Sequence, residues 1–400
     1  MVQKGLGAFF EGFLKKETVF LDKKALQSAF IPESIEHRDE QIQQIANVLA
    51  PSLRLERPSN LFIYGKTGTG KTLTIKYTAE KIKETAVKAN VPIRIFYVNC
   101  KLKRVADTEY RLIAQLSREY GKEIPSTGLP TDDVYRAFFS LLDREKQLVI
   151  IILDEIDQLV KKTGDEILYN LTRINEELKN SQISIVGLSN DLMFIDNIDP
   201  RVKSSLSEEE ILFPPYNAPQ IQDILRKRSG IAFKENVIEQ GVIEKCAAYA
   251  AREHGDARRA LELLRVAGEL AERNDAPTIS LKHIDDADDK IERDRVTEVC
   301  GSQPKQSQVV LYAILSQKRQ ESINTGEVYE SYRNLCERTG LRPLTQRRVS
   351  DVIAELDMLG IINVKLISKG RYGRTREISL GVSHILAPKI KSLLEQELSL

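Results

Sequence analysis

The sequence predicts an α/β protein in three parts: a parallel sheet with crossover helices, a small helical domain, and a terminal unit of three helices followed by a two-stranded hairpin. Three observations carry this. Between about residue 40 and residue 215, short runs rich in Val and Ile alternate with helix-length polar segments. After FPPYNAP (213–219) the strand signals stop, and apolar residues recur at spacings of three and four. Beyond GSQPKQSQ (301–308), a polar, proline-marked break, the order becomes helix, helix, helix, strand, turn, strand. A chain of 400 residues is also too long for one ordinary core. The expected boundaries are 1–216, 217–300 and 301–400.

The strands of the first part are LFIYG (61–65), IRIFYVNC (93–100), LVIIILDE (148–155), ISIVGLSN (183–190) and EEILFPPY (209–216). Runs apolar at nearly every position suit strands buried on both faces, as in a parallel sheet. Two helices over roughly 105–143 form an insert, because one crossover helix would suffice there. In the second part IQDILRKRSGI, VIEKCAAYAAREHG and ARRALELLRVAGELAERN each carry one apolar stripe. The third part has helices over 309–318 and 325–338, a third from near Leu344, and strands IINVKLI and REISL, which is winged-helix order.

Composition narrows the function classes. Hydrophobic residues make up 42% and charged residues 29%, close to globular averages. No apolar run approaches the ~20 residues of a membrane span. The stretch MVQKGLGAFFEGFLKKETVF is broken by Glu11, Lys15, Lys16 and Glu17, so it lacks a signal-peptide core, and a cytoplasmic protein is expected. Cys100, Cys246, Cys300 and Cys336 show no CxxC or CxxH spacing, which leaves buried thiols rather than a zinc site or a disulfide frame. Net charge is +1, yet residues 301–400 hold 15 Lys+Arg against 10 Asp+Glu, so the basic bias lies in the terminal unit.

GKTGTGKT (65–72) fits GxxxxGK[ST] between a strand and the helix-forming TLTIKYTAEKIKE. In Lys66, Thr67, Gly68, Thr69 and Gly70, with Leu73 just beyond, backbone N–H groups turn toward phosphate oxygens and a helix N-terminus adds partial positive charge. Lys71 is placed to reach the β and γ phosphates, and Thr72 to meet Mg²⁺. The run IIILDEID (150–157) ends a strand in two acids: Asp154 for the Mg²⁺ shell and Glu155 to orient or deprotonate a water. Asn190 ends another strand, where it would reach the γ-phosphate or simply close a turn. Arg201 and Arg258 each begin a helix after a turn signal, so each can offer a guanidinium to a phosphate or to solvent.

GKTGTGKT, LDEID, GLSND, DPRVKSSL and GDARRA, in this order and spacing, resemble the Walker A, Walker B, sensor-one, arginine-finger and sensor-two elements of an AAA+ ATPase. More narrowly, they are similar to the archaeal origin-recognition/cell-division-cycle initiator family, which pairs this ATPase with a winged helix. The resemblance covers nearly the whole chain. It implies an AAA+ domain, a helical lid (217–300) and a carboxyl-terminal winged helix, with ATP or ADP and Mg²⁺ as ligands. It further implies Asn190 as sensor one, Arg201 as a finger offered to a neighbouring subunit, and Arg258 as the lid arginine. Ile31, Pro32 and Arg38 would border the base, with Tyr216 behind it. The implied function is replication-origin recognition and helicase loading, with slow ATP hydrolysis as a switch and self or paralogue association on DNA. The alternative is a nucleotide-regulated transcription factor using the same winged helix.

LTQRRVSDVIAELDMLGII (344–362) places Val349, Val352, Ile353, Leu356 and Leu359 on one stripe, with Thr345, Gln346, Arg347 and Arg348 at its first turn. That is the polarity of a recognition helix, whose early residues meet base edges. SKGRYGRTRE (368–377) sets two glycines among three arginines and a lysine, but it leads from strand to strand and so lacks the helix end of a phosphate loop. It reads as a wing, with Lys369, Arg371, Tyr372 and Arg374 in or beside a minor groove. Lys101, Lys103 and Arg104, opening the insert, are either further DNA contacts or a solvated basic cluster.

Overall fold

The computed structural model describes residues 18–101, 106, 108–125, 128–206, 208–317, 323–368, 374–382 and 386–400. They fall into two compact units, the first ending at Ile284 and the second starting at Asp285.

The first unit is built on five parallel strands: β1 (Asn60–Tyr64), β2 (Ile93–Asn99), β3 (Gln147–Asp154), β4 (Ser181–Ser189) and β5 (Glu208–Leu212). Their order is β2-β3-β4-β1-β5. Alternating residues of each strand feed two cores. Leu61, Ile63, Ile150 and Leu188 pack with Ile45 of α1 (Asp39–Leu49) and Ile75 of α2 (Lys71–Lys88). Phe62, Val149, Ile151 and Ile185 face the other way, toward Leu112, Phe138 and Leu171. Every residue of β1 and β3 is buried, which is why these segments read as unbroken apolar runs.

The insert forms α3 (Glu109–Glu119) and α4 (Thr131–Leu142), and its stripes Leu112, Ile113, Leu116 and Val134, Phe138, Leu142 join the second of these cores. Helices α5 (Ile156–Thr163), α6 (Glu166–Glu177) and α7 (Pro200–Leu206) complete the sheet region. The helical part contains α8 (Ala218–Ala232), α9 (Val242–Arg252) and α10 (Ala257–Arg273). Asn217 and Gln220 close a capping box on α8, and Asp256 caps α10 by accepting from the N–H groups of Arg258 and Arg259 at 2.8 and 3.3 Å. Phe20 stacks on Phe233, and the Leu21 N–H donates to Ala232 O at 2.8 Å, a tether absent from the sequence reading. All four cysteines are free and buried, and burial lifts Cys100 and Cys246 to about 12.

Helix α11 (Leu281–Ser302) leads into α12 (Lys305–Leu315), α13 (Thr325–Thr339) and α14 (Gln346–Met358). A three-stranded antiparallel sheet follows the order β6-β8-β7, with β6 at Ile323–Asn324, β7 at Ile362–Ser368 and β8 at Arg374–Leu380. The winged-helix order read from the sequence is present, with three corrections. The expected break over 301–308 shrinks to Gln303 and Pro304, because Pro304 stops one helix and opens the next. The polar residues beyond it are helical, and the Gln308 side chain caps the preceding helix by donating to Gly301 O at 2.9 Å. Leu359 does not join the buried stripe: α14 ends at Met358 and Leu359 is 45% exposed, followed by Gly360 at φ +71°. A further helix, α15 (Ala387–Leu398), packs Ile390, Leu394 and Leu398 into the core of this unit.

Candidate functional site

The sheet order sets the carboxyl ends of β3, β4 and β1 side by side, so Asp154, Asn190 and the loop 65–70 share one edge. Lys71, the first residue of α2, is only 6% exposed. Its ammonium donates to Gly65 O at 2.6 Å, Lys66 O at 2.9 Å and Asn190 Oδ1 at 2.9 Å, which satisfies all its protons. Burial lowers Lys71 to about 8; the Asp154 carboxylate opposes that fall, and the Arg258 charge adds to it. Thr69 Oγ1 donates to Lys66 O at 2.8 Å and ties the loop across, while Lys66 and Thr67 are exposed. Thr72 Oγ1 donates to Asp154 Oδ2 at 2.9 Å. Glu155 follows in the left-handed region at φ +57°, costing about 1–2 kcal/mol for a residue with a Cβ. It occupies the N-cap position of α5 and faces Lys101 Nζ at 3.6 Å, so Lys101 stands beside this site.

These groups fit a nucleotide with a hard divalent cation. A phosphate would offer the buried ammonium anionic oxygens where it now holds neutral carbonyls, and Thr72 with Asp154 supplies the oxygen ligands that Mg²⁺ prefers.

The lid helix rests on the loop. Gly68 has φ +72°, the Ala257 N–H donates to its carbonyl at 3.3 Å, and a Cβ on Gly68 would lie 1.7 Å from Asp256 Oδ1. Gly68→Ala therefore forces the start of α10 off the loop as well as straining the turn. The expected result is an ADP affinity about tenfold lower and faster amide exchange at the start of α10, measured by calorimetry and hydrogen exchange. An unchanged exchange pattern would show that the contact does not hold the lid.

The four residues expected around the base divide into two pairs. Arg38, 2% exposed, donates to Thr69 O at 2.9 Å, His37 O at 3.0 Å and Pro214 O at 2.6 Å, and its guanidinium lies 3.8 Å from the Tyr216 ring centroid. Both support the loop, since a Cβ on Gly70 would sit 2.8 Å from Tyr216 Oη. Ile31, 53% exposed, and Pro32 instead line a groove of about 450 Å³ with Lys76, Tyr77 and Tyr97. Leu73 is half-buried on the first turn of α2. Arg258 is exposed just inside α10, within electrostatic reach of Lys71. Arg201 stands apart: it is exposed, paired with Asp199 at 3.0 Å, and shares a groove with Arg57 and Asn60, which lead into β1 rather than out of it.

The decisive comparison is with the ORC1-type DNA replication protein of Pyrococcus abyssi, 53% identical over 387 residues, which cover 95% of this chain and 92% of that one. The chain belongs to the ORC1-type DNA replication protein family. The counterpart from Thermococcus onnurineus is also 53% identical, over 384 residues covering 94% of this chain and 92% of the relative. Three family descriptions match in succession: AAA domain over 54–193, Cdc6 AAA+ ATPase-type lid domain over 222–289, and CDC6 C-terminal winged helix domain over 298–385. Among solved structures, the Aeropyrum pernix ORC1 protein in complex with DNA superposes with a TM-score of 0.84 at 42% identity, over 96% of this chain and 98% of that one.

In this ORC1-type chain the winged helix presents a polar helix start. The Thr345 side chain caps α14 by accepting from the Arg348 N–H at 3.4 Å, and Gln346, Arg347 and Arg348 are exposed. Arg348 pairs with Asp351 at 3.6 Å, while Arg347 has no ion pair among the described residues. Arg376 Nη1 donates to Ser350 O at 2.8 Å and fastens β8 to α14. Lys103, Arg104, Lys369, Arg371 and Tyr372 lie outside the described residues, as does the side chain of Arg374, which opens β8. No helix among the described residues is long and apolar enough to cross a membrane.

Sequence reasoning missed Asp256 and Tyr97. Asp256 is visible as an N-cap Asp before ARRALELL, but its contact with Gly68 spans 188 positions. Tyr97, which donates to Asp154 Oδ2 at 2.6 Å, reads only as one more apolar strand residue.

Proposed function

We propose that this chain is an ATP-dependent replication-origin binding protein, which recognises origin duplex and helps recruit or load the replicative helicase, with slow ATP hydrolysis as its switch. The observation that carries the switch is the seat of α10 on the phosphate loop: Asp256 and Ala257 touch Gly68 while Lys71 and Asn190 close the loop from the other side. A bound triphosphate chain, with Mg²⁺ supplying charge neutralisation, brings negative charge between Lys71 and Arg258 and so acts on the helix that contacts the loop. Lys71 and the loop N–H groups hold the phosphates, Thr72 and Asp154 hold the cation, and Glu155 and Asn190 flank the place of the attacking water. Arg201, exposed and remote from this cluster, suits a role in a neighbouring copy's site, as self or paralogue association on DNA would allow.

On the DNA side, Gln346, Arg347 and Arg348 approach the major groove, while Lys369, Arg371, Tyr372 and Arg374 are read as contacts in or beside the minor groove, and Lys101, Lys103 and Arg104 as further DNA contacts. Arginine and glutamine so placed suit guanine and adenine edges. The complex of the 42% identical Aeropyrum pernix protein with DNA supports this reading. The test is a salt series. Replacing Arg347 and Arg348 together by Ala is expected to weaken duplex binding by about 2–4 kcal/mol if both read bases, or to lower the slope of log K against log salt by about 2 if both meet phosphates. Unchanged affinity and slope would place the DNA contact elsewhere and leave α14 as a protein-binding surface.

A further inference from the structure

We infer that Tyr97 is a positioning residue for Asp154: its phenol fixes the carboxylate from the side of β2, and the Lys76 ammonium fixes the ring. This rests on the nucleotide reading above. Strands β2 and β3 are paired in register, with Tyr97 beside Ile152 and Asn99 beside Asp154. Residues two apart on a strand project to the same face, so Tyr97 and Asn99 stand together next to the end of β3. Tyr97 Oη donates to Asp154 Oδ2 at 2.6 Å, and Thr72 Oγ1 donates to the same oxygen at 2.9 Å. Among the described residues no hydrogen bond reaches Oδ1. The two donors arrive from different elements, one from the sheet and one from α2, and they settle which oxygen is engaged.

The phenol is itself held. Asn99 stands beside it on the same face of β2, with Asn99 Oδ1 accepting from the Lys101 N–H at 3.0 Å. Lys76 Nζ lies 4.0 Å from the Tyr97 ring centroid, over its face. A tyrosine kept here for packing alone would be replaced by phenylalanine without consequence. A tyrosine that orients a metal-binding carboxylate would not, because hydrogen bonds to such carboxylates set their direction and their affinity for the cation.

The full chain, freed of nucleotide, is titrated with ADP by calorimetry, once in MgCl₂ and once in EDTA. Tyr97→Phe is expected to bind ADP about tenfold more weakly than the parent in MgCl₂ and equally well in EDTA. Lys76→Met keeps the hydroxyl but frees the ring, and a loss of about threefold is expected in MgCl₂ alone. If Tyr97→Phe matches the parent in MgCl₂, or loses as much in EDTA, the assignment to Asp154 is overturned while the nucleotide site stands. A parent chain whose ADP affinity does not respond to MgCl₂ would overturn the cation site itself, and this inference with it.

Discussion

Lys71→Ala removes nucleotide binding, with ADP affinity falling on the order of 100-fold, while duplex affinity stays within about twofold of the parent. The asymmetry follows from the structure. The Lys71 ammonium is buried where the loop turns, and the three oxygens it now satisfies are those of Gly65, Lys66 and Asn190. No other described lysine enters that ring of acceptors, and α14 belongs to the other compact unit. Filter binding on duplex DNA beside calorimetry with ADP separates the two activities. Loss of both together would mean that nucleotide and DNA binding are not modular, and the division of labour proposed here would fail.

Arg38→Ala is the most destabilising single change expected, at about 3–5 kcal/mol. It strands three backbone carbonyls, of Thr69, His37 and Pro214, and opens a cavity against Phe213 and Tyr216. Burial presses the Arg38 guanidinium below its ordinary range, and the neighbouring Tyr216 opposes that shift. In a unit of this size the loss lowers the melting temperature by about 10 °C, measured by calorimetry on the nucleotide-free chain. Arg38→Lys recovers little, because an ammonium cannot keep the fork on three separate acceptors or the stack on Tyr216. A loss below about 1 kcal/mol would show that solvent enters freely and that Arg38 does not organise the loop.

The contrast between these two residues shows what the sequence made legible. Lys71 was readable because its partners follow strand logic: GKTGTGKT, LDEID and GLSN each close a buried strand, and a parallel sheet aligns strand ends whatever their separation along the chain. Arg38 was not readable in its observed setting. A charged residue just before a helix suggests a rim position, and only the aromatic faces of Phe213 and Tyr216, some 175 positions away, bury it. Tyr97 fails for a related reason, since a tyrosine inside IRIFYVNC satisfies the strand pattern whether or not its hydroxyl has work.

The fold was more legible than its punctuation. Polar GSQPKQSQ looked like a linker because composition weighs every polar residue as exposed, whereas Ser307 and Gln308 are buried. Leu359 continued the spacing of the α14 stripe but fell past the helix end set by Gly360. The final helix, α15, has a signal in the sequence as well: Ile390, Leu394 and Leu398 recur every four residues.

The central claim is that nucleotide governs how this chain engages origin DNA. The most direct measurement is a footprint across duplex from the source organism's origin regions, with ATP, with ADP and without nucleotide. Protection is expected in one or a few clustered sites, with an extent that differs between ATP and ADP and a difference that disappears in Lys71→Ala. Sites scattered among promoters, or protection indifferent to nucleotide, would contradict it.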